Sequence, residues 1–384
     1  MSQHDRYISP FSTRYASDEM QYIFSDDNKF RTWRRLWVAL ARAEMKQGLT
    51  NITPEMVAEL EAHVDDINYD VAIAREKLVR HDVMSHVYAY GLQCPKAAGI
   101  IHLGATSCYV GDNTDIIILR EAAQLVVKKA VQVVRNLSAF ADRWKDTPCL
   151  GYTHLQPAQL TTVGKRAALW INELLMDIDE LEFRLSRLQL LGSKGTTGTQ
   201  ASFLELFGGD EGKIQEMERL IADEMGFAGV VPVSGQTYSR KVDSYFLSAL
   251  SGIAQSAMKF ANDLRIAQSF EELEEPFEKH QIGSSAMPSP RIMMYFICNS
   301  FIVFSKASPP TMPRASYRPR PRSHRTRKTP VPQRRPPPSS LFPAVGIEES
   351  SGRNHAAGVG TYRILAMLMM SANTPAAVTL APAP

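Results

Sequence analysis

Residues 152–159 read YTHLQPAQ, which places His154 between a threonine and a turn-forming proline. An imidazole in a loop has a pKa near neutrality, so it can donate a proton to a reacting group. The simpler interpretation is an ordinary loop histidine whose ring is satisfied by its neighbours. Taken by itself, this string leaves both interpretations open.

A second string, GSSAMP at residues 283–288, follows EEPFEK at residues 274–279. A Gly-Ser-Ser step indicates a flexible loop, and hydroxyl groups beside a glycine can approach a substrate closely. Ser284 is therefore a candidate for proton transfer. Without its context the same string would be interpreted as a linker.

The third string is RHDVMSH at residues 80–86. Arg80 and His81 form a cationic pair suited to a phosphate or a carboxylate, and Asp82 could fix the tautomer of the imidazole. His81 and His86 are five residues apart, so they do not share a helical face as zinc ligands at i and i+4 would, and we expect no metal site. The alternative is a solvated helix end.

The elements that must position these residues are predicted to be helices. Residues 18–100 indicate short helices, one of them starting at Thr53 as N-cap with Pro54 at the first helical position. Beyond Thr114 the helices lengthen, and a helix from about Lys165 to Leu191 would be roughly 40 Å long. Apolar residues at three- and four-residue spacing form three stripes, Val126–Trp144, Ile171–Leu188 and Val242–Leu264.

These stripes predict an all-α fold with an elongated bundle of long helices. No alternating pattern typical of strands is present in this region. So thin a bundle cannot bury all its apolar stripes alone, which favours self-association.

The charge divides the chain into two kinds of sequence. Residues 291–384 carry 13 Lys/Arg against two acids, whereas residues 1–290 carry 30 Lys/Arg against 38 Asp/Glu. Within residues 308–338 there are ten prolines and eight arginines without an acid, a composition that predicts disorder. The basic character therefore belongs to the tail, and the larger part is mildly acidic.

The remaining composition favours a cytoplasmic protein. The sequence starts without a charged region followed by an apolar run, so we expect no secretory signal. The apolar run from Ile292 to Phe304 is only about 13 residues long, too short for a membrane span. The cysteines at 94, 108, 149 and 298 follow neither a disulfide nor a metal-ligand spacing, which fits reduced thiols in the cytosol.

Taken together and in order, the strings resemble a known family over about residues 10–288. GSSAMP matches the opening of the signature loop of the fumarase/aspartase superfamily, GSSxMPxKxNP, and residues 153–159 match its THxQPAQ region. RHDVM, THLQPAQ and the lead-in PFEK are similar to the adenylosuccinate lyases of that superfamily. Four further strings support the resemblance: STRYA at 12–16, HLGATS at 102–107, KGTTGTQ at 194–200 and SGQTY at 234–238.

The resemblance implies an N-terminal helical domain over residues 1–110, an incomplete central bundle over 111–288 and an aberrant, largely disordered tail over 289–384. It implies β-elimination of fumarate from adenylosuccinate to give AMP, and from the succinyl-carboxamide ribotide, without a metal or an organic cofactor. It also implies a homotetramer in the cytoplasm. By resemblance Ser284 is the base and His154 the acid. The residues that would hold the substrate are Arg14, Tyr15, Arg80, His81, Asp82, Thr106, Ser107 and Gln236.

The resemblance ends after Pro288. Where the family has lysine this chain has Pro290, and where it has asparagine this chain has Ile292. These departures predict that the chain by itself has little lyase activity, and they leave an alternative, a catalytically inactive subunit that acts only as an oligomer partner. Nucleic-acid binding by the basic tail is not expected, because Tyr317 is its only interleaved aromatic residue. No membrane partner is expected either.

Overall fold

The computed structural model describes residues 8–9 and 11–273. The N-terminal part begins with a π-helical turn, Phe11–Tyr15, and continues with five helices. These are α1 (Asp18–Ile23), α2 (Asp26–Lys46), α3 (Pro54–Ala62), α4 (Tyr69–Val79) and α5 (Asp82–Gln93). The prediction of short helices is confirmed except at α2, which has 21 residues.

The second part contains the long helices. They are α6 (Ser107–Arg143), α7 (Val163–Ser186) and α10 (Lys241–Ser269), with the shorter α8 (Ala201–Leu206) and α9 (Glu211–Glu224) between the last two. The prediction of an all-α fold with a long-helix bundle is confirmed. The predicted boundary at residue 110 stays a prediction, and the predicted tail lies outside the described residues.

Side-chain caps fix where several helices begin. Thr53 accepts a hydrogen bond from the backbone N–H of Met56 ahead of Pro54, as the sequence predicts. Ser25 accepts from Asn28 in the same way at the start of α2. Each cap satisfies one backbone donor that the helix leaves unpaired, so these starts are encoded locally.

The main core lies where α2 crosses α6 and α9. Trp33 and Trp37 of α2 are 1% exposed, and Tyr109 of α6 and Met217 of α9 are also buried there. Burial of such large apolar side chains is the main favourable contribution to folding. This core supports the amino-terminal end of α6.

A second core lies between α6, α7 and α10 toward the other end of the bundle. Leu137, Trp170 and Leu264 are buried in it, one from each helix. Trp170 also donates a hydrogen bond from Nε1 to Asp263 over 2.8 Å. Leu174, which belongs to the predicted stripe on α7, is buried there as well, so the three predicted apolar stripes face one another.

A β-hairpin between α6 and α7 contradicts the expectation of a region without strands. Strands β1 (Pro148–Thr153) and β2 (Gln156–Thr162) pair antiparallel, and a bulge lies between Gly151 and Tyr152. Because the backbone ladder stabilises this hairpin and residues 153–160 are exposed, its sequence shows no alternating apolar pattern. His154 and Leu155 form its two-residue turn.

No helix within residues 8–9 and 11–273 is long and apolar enough to cross a membrane.

Candidate functional site

The amino-terminal end of α6 offers a place for an anion. Its N-cap, Thr106, makes no side-chain capping hydrogen bond, and the first turn contains no acidic residue. The first backbone N–H groups of a helix lack partners within it, and they carry a partial positive charge. Thr106 and Ser107 are half-buried and add two hydroxyl groups. This end of α6 can therefore hold a carboxylate or a phosphate.

Arg80, His81 and Asp82 lie together at the junction of α4 and α5, and all three are exposed. Arg80 ends α4 in a left-handed conformation with φ 54°. His81 is the N-cap of α5, and its Nδ1 accepts a hydrogen bond from Met84 N over 3.4 Å. The ring proton is therefore on Nε2, which leaves an N–H group available to a ligand.

The expected role of Asp82 as the group that fixes the His81 tautomer is wrong in this structure. Asp82 Oδ1 lies 3.6 Å from His81 Nδ1, beyond hydrogen-bond distance. It instead accepts a hydrogen bond from Val83 N over 2.7 Å. The reason is that a carboxylate in the first turn of a helix finds a backbone N–H closer than a side chain.

His102 was missed as a site residue, although the string HLGATS that contains it leads directly into α6. Its Nδ1 accepts a hydrogen bond from the indole Nε1 of Trp37 over 3.0 Å, and its backbone has φ 67°. Burial, together with repulsion from nearby His81, lowers the pKa of His102 to about 4. The ring is thus a neutral donor through Nε2 beside His81.

Gln236 lies in the segment that leads into α10, and this segment is attached to the same end of α6. Arg240 Nη2 donates a hydrogen bond to Asp112 Oδ1 over 2.7 Å, and Asp112 is only five residues beyond Ser107. Gln236 is half-buried. The structure therefore places Thr106, Ser107 and the Gln236 segment at one end of the bundle.

His154 lies at the other end. It is exposed at the tip of the hairpin with φ 50°, and Leu155 beside it has φ 59°. Left-handed conformations at both turn positions usually require Asn-Gly, so His-Leu is a costly choice here. Backbone strain of this kind concentrates at functional sites.

One copy of the chain cannot bring His154 to Ser107. Helix α6 has 37 residues and is about 55 Å long. Thr147 N donates to Trp144 O over 3.2 Å, which fixes the base of the hairpin at the far end of α6. A six-residue strand spans about 20 Å, so even a hairpin folded back along α6 leaves more than about 30 Å.

The remaining predicted residues are placed in part. Arg14 and Tyr15 belong to the π-helical turn, and the rings of Tyr15 and Phe11 are 6.2 Å apart. Ser284 and its loop lie outside the described residues. Within the described part of the chain, no group of three or more His, Cys, Asp or Glu side chains could hold a metal ion.

Comparison with known proteins extends the resemblance. A sequence model of a lyase family matches residues 12–291. Adenylosuccinate lyases of Saccharomyces cerevisiae and Schizosaccharomyces pombe are each 51% identical over 293 residues, which is 76% of this chain and 61% of theirs. The lyase of Pyrococcus abyssi is 31% identical over 286 residues, 74% of this chain and 62% of its own.

Two solved structures have folds similar to that of this chain. A 3-carboxy-cis,cis-muconate lactonizing enzyme from Pseudomonas putida has a TM-score of 0.62 at 27% identity, covering 73% of this chain and 62% of its own. A fumarate lyase from Mesorhizobium has a TM-score of 0.60 at 26% identity, covering 71% and 62%. The chain spans about 61% of the length of the curated relatives it matches. The chain belongs to the lyase family whose sequence model it matches, and the curated relatives it resembles are adenylosuccinate lyases.

Proposed function

We propose that the chain eliminates fumarate from adenylosuccinate to give AMP, and from the succinyl-carboxamide ribotide in the same way. The observation that carries this proposal is the grouping of Thr106, Ser107 and the Gln236 segment at the uncapped end of α6. The substrate's carboxylates and phosphate are anions that such an end attracts. The reaction develops further negative charge beside a carboxylate, which preorganised donors stabilise.

The proposed chemistry needs a base and an acid. Ser284 removes the proton next to the carboxylate, and His154 protonates the departing nitrogen as the carbon–nitrogen bond breaks. Arg14, Tyr15, Arg80, His81 and Asp82 hold the substrate. No metal or organic cofactor is needed, because the adjacent carboxylate already acidifies the proton that leaves.

The separation of His154 from the α6 end leads to an assembly proposal. The hairpin tip of one copy completes the site at the α6 end of another, in a homotetramer located in the cytoplasm. Large apolar side chains that are exposed on α7 and α10 would be covered there. They are Leu169, Leu175, Met176, Phe183, Tyr245 and Met258.

The deciding experiment is fumarate release from adenylosuccinate by the purified 384-residue protein. We expect fumarate and AMP in equal amounts, at a rate roughly a hundred- to a thousandfold below that of a lyase with lysine in place of Pro290. The His154→Asn variant is the matched control, since contaminating host enzyme would remain active in both preparations. Failure to bind adenylosuccinate would overturn the proposal. Binding without turnover, with activity only after mixing with a relative's subunits, would favour the oligomer-partner alternative.

A further inference from the structure

We propose that Asp112 and Asn113, neighbours on α6, are positioning residues that hold two loops over the substrate end of that helix. The Gln236 loop comprises residues 232–240, and the glycine-rich loop comprises residues 192–200. Asp112 anchors the first loop and Asn113 the second. The inference rests on the proposed function. It gives Asp112 and Asn113 a role in substrate binding that does not require either side chain to touch the substrate.

The anchor of the Gln236 loop is a chain of polar contacts that starts at a buried carboxylate. Asp112 is 4% exposed and accepts the 2.7 Å hydrogen bond from Arg240. The Arg240 guanidinium lies over the ring of Tyr238, 4.1 Å from its centroid. Tyr238 in turn donates a buried 2.7 Å hydrogen bond to Asp243 of α10. Since Gln236 is only two residues before Tyr238, these contacts fix the place from which Gln236 can reach a ligand.

The anchor of the glycine-rich loop is the amide of Asn113, which is fully buried. Its Oδ1 accepts from Gly192 N over 3.1 Å, and its Nδ2 donates to Gly192 O over 3.1 Å. Nδ2 also donates to Tyr109 O over 2.7 Å. An aspartate at this position would place an acceptor against two carbonyl oxygens, so the site requires an amide.

The two loops also contact each other, so their anchors act on one assembly. A Cβ added at Gly198 would overlap the carbonyl oxygen of Ser234, which leaves no room between the loops. The glycine-rich loop is fastened on its other side to α9, where Lys194 and Glu218 form a buried ion pair of 3.1 Å. Glu218 also accepts from Ser193 N over 2.9 Å.

Both anchors lie on α6, the same helix that carries Ser107. Asp112 and Asn113 are one to two helical turns from Ser107, about 8 Å along the axis. Adjacent residues of a helix point about 100° apart, so each reaches a different loop. The first turns of α6 therefore set the distance between the predicted carboxylate-binding end and both loops.

The test compares amide hydrogen exchange in the full chain, in three variants of the anchors and in one control variant. Asp112→Asn and Arg240→Gln each remove the same hydrogen bond. Asp112 is buried and Arg240 is half-exposed, so at least one of the two variants should fold. Both should speed exchange in residues 232–240 more than in residues 192–200, and Asn113→Asp should do the reverse. Glu216→Gln, which removes an exposed charge paired with Arg219, is the control and should change neither loop.

A binding cycle separates positioning from plain stability. By calorimetry with adenylosuccinate, Arg240→Gln should weaken binding about tenfold in the native chain but less than about threefold in a Gln236→Ala background. Equal losses in both backgrounds, or faster exchange throughout the protein, would overturn the inference. If the native chain does not bind adenylosuccinate, the proposed function fails, while the exchange of the two loops still decides whether the anchors exist.

Discussion

The hydroxyl group of Tyr152 donates a hydrogen bond to the carboxylate of Glu272 over 3.1 Å. Arg166 of α7 donates to the other oxygen of that carboxylate over 2.7 Å, and the ring of Tyr152 stacks on Phe270. One acid beyond the end of α10 thus fastens β1 of the hairpin two residues before His154.

Substitution of Glu272 by glutamine should loosen the hairpin. The variant keeps the shape of the side chain but removes the charge that Arg166 needs, at a cost of about 1–3 kcal/mol in the free energy of unfolding. Denaturant unfolding and amide exchange of residues 148–162 measure both effects. Asp142→Asn removes an exposed partner of Lys145 and should cost less than about 0.5 kcal/mol. Equal losses in the two variants would contradict the proposed fastening.

His154→Asn should lower turnover at least about 100-fold while substrate binding is retained, because the variant removes the proposed acid. Asparagine tolerates the left-handed conformation of the turn, so the hairpin should keep its shape. Ser284→Ala should have a similar effect as loss of the base. Steady-state rates and calorimetric binding are the measurements. A near-normal rate in either variant would remove that residue from the mechanism.

Replacement of Gly198 by alanine should separate the two loops. Both Gly198 and Gly208 have positive φ, +83° and +62°, so alanine at either position should cost roughly 1–2 kcal/mol. Only at Gly198 would the added Cβ meet another loop, whereas no neighbouring heavy atom lies within 4 Å of a Cβ at Gly208. Calorimetry should therefore reveal weaker adenylosuccinate binding in Gly198→Ala alone. Unchanged binding in that variant would show that the loops can separate without consequence.

The protein should lose stability between pH 7 and pH 9 because of Glu44. This side chain is fully buried, neither carboxyl oxygen has a hydrogen-bond partner among the described residues, and burial raises its pKa to about 9. The folded state therefore binds the proton more tightly than the unfolded state. The free energy of unfolding should fall as pH rises from the usual 4.5 to about 9, by up to roughly 1.4 kcal/mol per pH unit.

Other groups with shifted pKa values change the free energy of unfolding mainly outside this pH range. The pKa of Asp115 is raised to about 7, so this group lowers the free energy of unfolding as pH rises, but only up to about pH 7. The pKa of His86 is lowered to about 4, so this group affects stability only below about pH 6.5. Burial raises the pKa of the Cys94 and Cys108 thiols to about 11, so these groups lower the free energy of unfolding only above about pH 8. Denaturant unfolding at pH 7, 7.5 and 8 should therefore show a slope that Glu44→Gln largely removes. A slope that persists in the variant would rule out Glu44 as its cause.

The full chain should associate at micromolar concentration, because the apolar side chains on α7 and α10 need cover. Light scattering should give a mass well above one chain. Phe183→Lys, on α7 at 50% exposure, should reduce that mass without unfolding the subunit. A single monomeric mass for the unaltered protein would contradict the assembly proposal.

The sequence predicted the bundle well because burial follows its apolar period. Leu174, Ile178 and Leu181 are buried on α7 as their spacing indicates. The predicted end of that helix at Leu191 is wrong, since α7 ends at Ser186. Leu190 is buried, but its backbone pairs with residues 229–231, a tertiary contact that a helical period cannot reveal.

The sequence predicted the candidate site only where a short motif by itself determines the local structure. The strings containing His81 and Thr106 lie at helix starts, and the structure places each as an N-cap. The role of His102 depends on Trp37, 65 residues away, so no spacing within its own string could indicate it. The hairpin turn at His154 was not predicted, because histidine and leucine are not residues that such turns favour.

The continuity of α6 has a consequence for sequence length. One unbroken helix joins the loop anchors near its start to the hairpin near its end, so its residue count sets the angular phase between them. An insertion of one residue in its middle would turn one end by about 100° relative to the other. An insertion of seven residues would restore the phase to within about 20° and lengthen the helix by about 10 Å. Related chains should therefore vary in loop length far more readily than within α6.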